Sequence, residues 1–150
     1  MIGVITTGHG NFATGLTSAL NLIVGEMEAY AAVDFTSLAG TAELERDLAA
    51  ALDGLSVQGC EGVLVLCDLV GGSPFKTAVT LGAARGNVRV MAGTNLGCLV
   101  EACTQRDVVS DVDGLATLAV EAARAQVVAF QMAPVTTADG LGDDFDDEGI

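Results

Sequence analysis

Ile2-Gly3-Val4-Ile5-Thr6-Thr7-Gly8-His9-Gly10 carries an apolar, β-favouring run into a turn made of two glycines around the chain's only histidine. The run is continuous rather than alternating, as in a strand covered on both faces of a parallel sheet. The pattern predicts a buried strand over 1–7, with His9 just past its carboxyl end. Outward from it, helix and strand signals alternate. Phe12, Leu16, Leu20 and Ile23 recur at helical spacing, and Gly25 closes that helix. Residues 28–35 read as a second, alanine-rich strand. Thr41 is placed to cap a helix with the apolar stripe Leu44, Leu48, Leu52 and Leu55, and Glu43 and Glu45 suit the positive end of its dipole.

Gly62-Val-Leu-Val-Leu-Cys67 is the strongest strand signal, and Asp68-Leu69-Val70-Gly71-Gly72-Ser73-Pro74-Phe75 follows it. Ser73 reads as an N-cap with Pro74 at the first helical position, and Phe75, Val79 and Gly82 as the inward stripe. Gly86-Asn87 breaks that helix before a fourth strand over 88–92. Helices are expected over 96–105 and 114–126, the second turning Leu115, Leu118, Ala119 and Ala122 inward. Residues 127–130 are a candidate for a last short strand. Alternation of this kind predicts an α/β domain: a doubly wound, mainly parallel four-stranded sheet flanked by helices.

The 150 residues suffice for one cored domain, assigned here to 1–134. Residues 135–150 are a tail in which Asp139, Asp143, Asp144, Asp146, Asp147 and Glu148 crowd among glycines, a composition expected to stay disordered. The net charge of −14 opposes binding to nucleic acid or an anionic membrane surface. No apolar run approaches the roughly 18 residues of a membrane span, and no secretory signal is read at the start, so a cytoplasmic location is expected. Cys60, Cys67, Cys98 and Cys103 form no paired motif, which speaks against a metal site or a disulfide framework.

In open sheets of this class, ligands bind outside the carboxyl ends of the strands where the strand order reverses. With the first and third strands adjacent, about 5 Å apart, Asp68 comes within reach of His9. A carboxylate accepting from one ring nitrogen leaves the other as an oriented nucleophile. Gly71, Gly72 and Ser73 bring a helix N-terminus with unpaired N–H groups beside it, a cradle for an anion. Thr7 and Gly10 are further candidate contacts. The arrangement suits a phosphohistidine intermediate, and the lack of a GxxxxGK[ST] loop argues against a nucleotide donor bound here. No cofactor and no metal are expected.

Gly8-His9-Gly10 after a first strand and Asp68-Leu-Val-Gly-Gly-Ser-Pro-Phe75 after a third resemble the IIA component of the mannose/fructose/sorbose family of the sugar phosphotransferase system. Ala92-Gly-Thr-Asn-Leu96 resembles a further block of that family, extending the match over about 1–132. The resemblance implies that His9 is phosphorylated on Nε2 by the carrier protein HPr. The phosphoryl group then passes to a IIB component, which phosphorylates sugar entering through membrane IIC and IID components. It implies that Asp68 orients His9, that Ser73 lines the phosphoryl pocket, and that the domain forms a homodimer by exchanging a C-terminal strand, here 127–130. Two departures stand out: Lys76 where the family often has asparagine, and Gly97-Cys98 where it often has proline. Lys76 reads as a cation near the phosphoryl group or as part of the solvated face, and Gly97 as a loosening of a loop near the docking surface. A phosphohistidine subunit serving dihydroxyacetone kinase or a regulatory pathway would use the same two loops. A flavodoxin-like module holding FMN at the switch point is the reading from another class, although aromatic residues to sandwich a flavin are scarce.

Overall fold

A computed structural model of the chain describes residues 1–134, so the acidic tail expected at 135–150 lies outside the described residues. Among the described residues nine elements follow one another, strand and helix alternating until the last two, which are both helices: β1 (Ile2–His9), α1 (Phe12–Val24), β2 (Tyr30–Phe35), α2 (Thr41–Val57), β3 (Gly62–Cys67), α3 (Ser73–Ala83), β4 (Val88–Ala92), α4 (Leu96–Gln105) and α5 (Val112–Ala125). The four strands form one parallel sheet in the order β2-β1-β3-β4. The chain winds from β1 to β2 on one side and then crosses to β3 on the other. The order therefore reverses between β1 and β3.

Each face of the sheet has its own core. Even-numbered residues of β1 and β3, such as Val4, Leu64 and Leu66, pack with Leu20, Leu99, Leu115 and Ala119 of α1, α4 and α5. Odd-numbered ones, such as Ile5, Val63 and Val65, pack with Leu44, Leu48, Leu52 and Leu55 of α2 and with Ala78 of α3. All six residues of β3 are buried, which explains why its run is apolar without alternation.

The helices differ from the sequence reading in phase and in their caps. Around α1 the inward positions are Ala13, Leu16, Leu20 and Val24, and Ile23 is 39% exposed. In α3 the inward positions are Pro74, Ala78 and Gly82, whereas Val79 is 43% exposed. Gly82 sits there because its backbone meets Val88: a Cβ would come 3.1 Å from Val88 Cγ1. Thr41 and Ser73 are first helical residues, not caps; Gly40 and Gly72 take the extended backbone of the cap position. The last helix starts at Val112 rather than Gly114, because the Asp111 carboxylate accepts from Gly114 N–H at 2.8 Å and closes its first turn. In α5 Leu115, Ala119 and Ala123 are buried, with Leu118 only half-buried. Gly97 is not in a loop: it lies in the first turn of α4, and a Cβ there would overlap the side chain of Gln126. Residues 127–134 belong to no helix or strand, and Val127, Val128, Phe130 and Met132 are exposed.

All four cysteines are free and buried. Burial, with a smaller contribution from the Asp68 charge, pushes the Cys67 thiol up to about 12, and burial pushes Cys103 up to about 11. Thiolate, not thiol, reacts with disulfide reagents. The native protein at pH 8 is therefore expected to resist a colorimetric disulfide reagent, with all four thiols released on unfolding in guanidinium. A thiol that titrates within seconds under native conditions would place a cysteine at an accessible, activated position.

Candidate active site

His9 closes β1 rather than following it. Its backbone pairs with Phe35 of β2, whereas pairing with β3 ends two residues earlier, at Thr7 opposite Cys67. Past that point β1 and β3 separate, and the side chain of Asp68, the residue after β3, fills the opening. Asp68 Oδ2 accepts the backbone N–H of His9 at 2.8 Å, where a strand carbonyl would otherwise serve, and pairs with His9 Nδ1 at 2.7 Å. Asp68 Oδ1 accepts Leu69 N–H at 2.8 Å.

Burial would raise the Asp68 carboxyl, but its bonds from the His9 backbone, the His9 ring and the Leu69 backbone outweigh it and hold the group below the usual carboxylate range. Asp68 is therefore ionised at neutral pH and can only accept. The tautomer of His9 follows: the proton sits on Nδ1, and Nε2 carries the lone pair. Nε2 has no hydrogen-bond partner among the described residues, and the His9 side chain is 45% exposed against 12% for Asp68. The Phe35 ring meets the imidazole edge-on, with centroids 5.7 Å apart.

Glycines set how closely these groups approach. A Cβ on Gly8 would come 2.9 Å from Asp68 Cγ and closer still to the Phe12 ring, so Gly8 admits the carboxylate to the end of β1. Gly10 has a φ of +60° and donates to Phe35 O at 2.8 Å, turning the chain away from the imidazole. Gly71, at φ +81°, makes the turn into α3. Gly72 lies flat against the imidazole, since a Cβ there would come 2.7 Å from His9 Cε1 and 3.4 Å from Nε2. The N-terminus of α3 is thus set beside the free ring nitrogen.

In the first turn of α3 the N–H groups of Ser73 and Phe75 have no carbonyl within the helix to bond, and Pro74 has no N–H. The Ser73 hydroxyl forms no hydrogen bond among the described residues, because Gly72, not Ser73, holds the cap position. Two donor types and a positive dipole end therefore stand beside Nε2.

Thr7 does not reach this cradle. It is fully buried, and its hydroxyl donates to Val33 O at 2.8 Å. Sequence reasoning also missed Asp34, which accepts from Thr14 N at 3.0 Å and from Thr14 Oγ1 at 2.5 Å and so caps α1 from the neighbouring strand. No local sequence signal marks it, since 20 residues separate the partners. The block at 92–96 braces β3: Cys67 O accepts from Thr94 N and Oγ1, and Asp68 O accepts Gly93 N–H at 3.0 Å.

Alanine at Gly72 tests this packing. The backbone there is extended, so alanine brings no strain of its own and is expected to leave thermal unfolding near that of the parent. Its methyl group must push the imidazole aside by about 1 Å, a misplacement that costs on the order of 10²-fold in a positioned reaction. An unchanged rate for any chemistry at His9 would remove Gly72 from its positioning.

Residues 3–120 match the EIIA-man family, described as the PTS system fructose IIA component. The chain is 34% identical over 137 residues to the PTS system mannose-specific EIIAB component of Escherichia coli (strain K12), covering 91% of this chain and 42% of that protein. It thus spans less than half the length of that relative. It is 33% identical over 107 residues to the PTS system fructose-specific EIIA component of Bacillus subtilis (strain 168), covering 71% of this chain and 72% of that protein. Among solved structures, the mannose/sorbose specific IIA subunit of the phosphotransferase system from Enterococcus faecalis superposes with a TM-score of 0.79 at 30% identity, over 89% of this chain and 98% of that one.

Proposed function

Because this chain belongs to the mannose/fructose family of phosphotransferase-system IIA components, a family of phosphotransferases, we propose that it relays a phosphoryl group through His9. The observation that carries the proposal is the 2.7 Å contact of Nδ1 with an ionised Asp68, which leaves Nε2 bare beside the N-terminus of α3. The donor is the phosphohistidine of HPr and the acceptor a IIB component.

In the first transfer, the Nε2 lone pair attacks the phosphorus as the nitrogen–phosphorus bond of the donor breaks, and the donor imidazole leaves with that electron pair. The ring of His9 becomes cationic, and Asp68, already accepting the Nδ1 proton, stabilises it without taking the proton. Transfer to IIB reverses the same movement. Ser73 and the first-turn amides of α3 hold the phosphoryl oxygens, and Gly71 and Gly72 let the backbone come that close. Thr7 is left out of this scheme. Gly10 serves through its turn.

The reading extends to assembly and place. β4 is an edge strand, and the exposed apolar residues of 127–130 follow α5, which packs beside it. We propose that this segment is exchanged between two copies as an added strand. Light scattering on the full chain and on a chain ending at Gln126 tests this, since a truncated chain that stays dimeric removes the exchange. No helix among the described residues is long and apolar enough to cross a membrane. The proposed relay works in the cytoplasm and hands its phosphoryl group to a IIB component that serves membrane IIC and IID components.

The test of the relay is intact mass after incubation with phosphoenolpyruvate, enzyme I and HPr. One acid-labile phosphoryl group is expected. A folded chain that stays unmodified would return the site to the binding-module reading.

A further inference from the structure

We propose that Lys76 is a phosphoryl-binding residue of this site, its ammonium closing onto the phosphoryl group carried by His9. The inference rests on the phosphohistidine reading above and adds to it a group that the relay described there does not use.

Lys76 is the only lysine in the chain. Of the five arginines, Arg46, Arg85 and Arg89 are each paired with a carboxylate, Arg106 is buried against Ala29 O, and Arg124 stands in the last turn of α5, where it lines a groove with Met91, Ala92 and Gly93. Lys76 is exposed and lies within salt-bridge distance of no carboxylate among the described residues. It is one helical turn past Gly72, to whose carbonyl its N–H donates at 2.9 Å, and Gly72 is the residue on which the His9 ring lies. Side chains on a helix lean toward its N-terminus, so residue 76 leans over residue 72. The rise between them is about 6 Å, a distance the four-carbon stem of lysine spans.

Lys76 lines a shallow groove between α2 and α3 with Glu45, Thr77, Thr80 and Leu81. Glu45 is the one acid of that groove, and among the described ion pairs none joins it to Lys76. Lys76 is thus an uncommitted cation whose backbone stands one helical turn past Gly72.

The electrostatics call for one. A phosphoryl group brings close to two negative charges at neutral pH. It arrives beside an ionised Asp68 in a chain whose formal charge is already −14. The α3 amides offer only the partial charge of a helix end. A full cation within reach of Nε2 stabilises the phosphorylated chain relative to the free one. It thereby shifts the division of phosphoryl groups between HPr and this chain toward this chain.

The experiment equilibrates the full chain with phospho-HPr and reads the phosphorylated share of each protein by intact mass, for the parent, Lys76→Met and Lys76→Arg. Lys76→Met is expected to lower the equilibrium constant for transfer to the chain about fivefold, the scale of a charge-assisted contact in partial solvent. Lys76→Arg is expected to restore it. Half-molar salt is expected to narrow the gap between the parent and the methionine variant. An exposed lysine with a merely structural role would move none of these readings. Equal constants for the parent and Lys76→Met, with both chains phosphorylated, overturn the proposal and leave the relay standing. A folded parent that takes no phosphoryl group overturns both.

Discussion

His9→Ala is expected to abolish phosphoryl acceptance from phospho-HPr while leaving the fold in place. His9 is the only histidine of the chain, so no second imidazole can take over its role. The structural cost is small because the side chain is 45% exposed and its one side-chain hydrogen bond among the described residues is that of Nδ1 to Asp68, beside the edge-on contact with the Phe35 ring. The backbone N–H of residue 9 can still donate to Asp68 Oδ2, and Leu69 N–H to Oδ1, so the end of the sheet keeps its bracing. Discounted for solvent screening, the lost contact is worth at most about 1 kcal/mol. The readout is intact mass after incubation with phosphoenolpyruvate, enzyme I and HPr, alongside thermal unfolding. A folded alanine variant that still gains an acid-labile phosphoryl group would move the acceptor to another residue and end the mechanism proposed here.

The second large effect is expected of Asp68→Asn, which keeps the size of the side chain and changes its chemistry. In the parent every hydrogen bond to this side chain is accepted by it, two from His9 on Oδ2 and one from Leu69 on Oδ1. An amide has one accepting end. Turned one way, its NH₂ faces the Leu69 N–H. Turned the other way, it faces the backbone N–H of His9 and drives the ring proton from Nδ1 to Nε2, the nitrogen that must attack. Either orientation also loses the negative charge that balances the cationic ring during transfer. Positioned proton and charge partners of this kind contribute about 10²- to 10⁴-fold, so a fall of at least 10²-fold in transfer rate is expected. Rapid-quench measurement with phospho-HPr in excess would show it. A rate within a few-fold of the parent would reduce Asp68 to a brace for the loop.

The two variants probe separate parts of the site. His9→Ala removes the atom proposed to bond phosphorus, whereas Asp68→Asn keeps that atom and disturbs its tautomer. Gly72→Ala keeps both and shifts the ring. A graded series, with loss of the reaction for the first and slowing for the others, is the pattern expected of an oriented nucleophile.

How much of this was legible beforehand depends on the range of the interaction that decides each feature. Continuous apolar runs mark strands buried on both faces, and the run at 62–67 is buried at every position. The stripe of Leu44, Leu48, Leu52 and Leu55 lies inward as its spacing demands. Helix phase was harder to read where small residues fill the inward positions. In α3 Gly82 and Phe75 pack inward as read, but Ala78 takes the inward place that the larger Val79 claims in the pattern. Cap identity failed for a related reason. Thr41 and Ser73 are good capping residues, yet each stands next to a glycine that takes the extended conformation more easily.

By itself the sequence determined the alternation of strands and helices, the parallel sheet, and the two residues, His9 and Asp68, that meet at its switch point. Those follow from local periodicity and from chemistry that few residue types can perform. Only the tertiary structure decided how they meet. The separation of β1 from β3 after Thr7 lets the Asp68 carboxylate take the place of a strand carbonyl. The flat face of Gly72 sets Nε2 beside a helix end, and the Asp34 cap on α1 comes from a strand 20 residues away. The seclusion of Thr7 within the sheet is equally invisible in the sequence. Each of these depends on backbone segments far apart in the chain coming within a few ångströms, a distance that local periodicity does not encode.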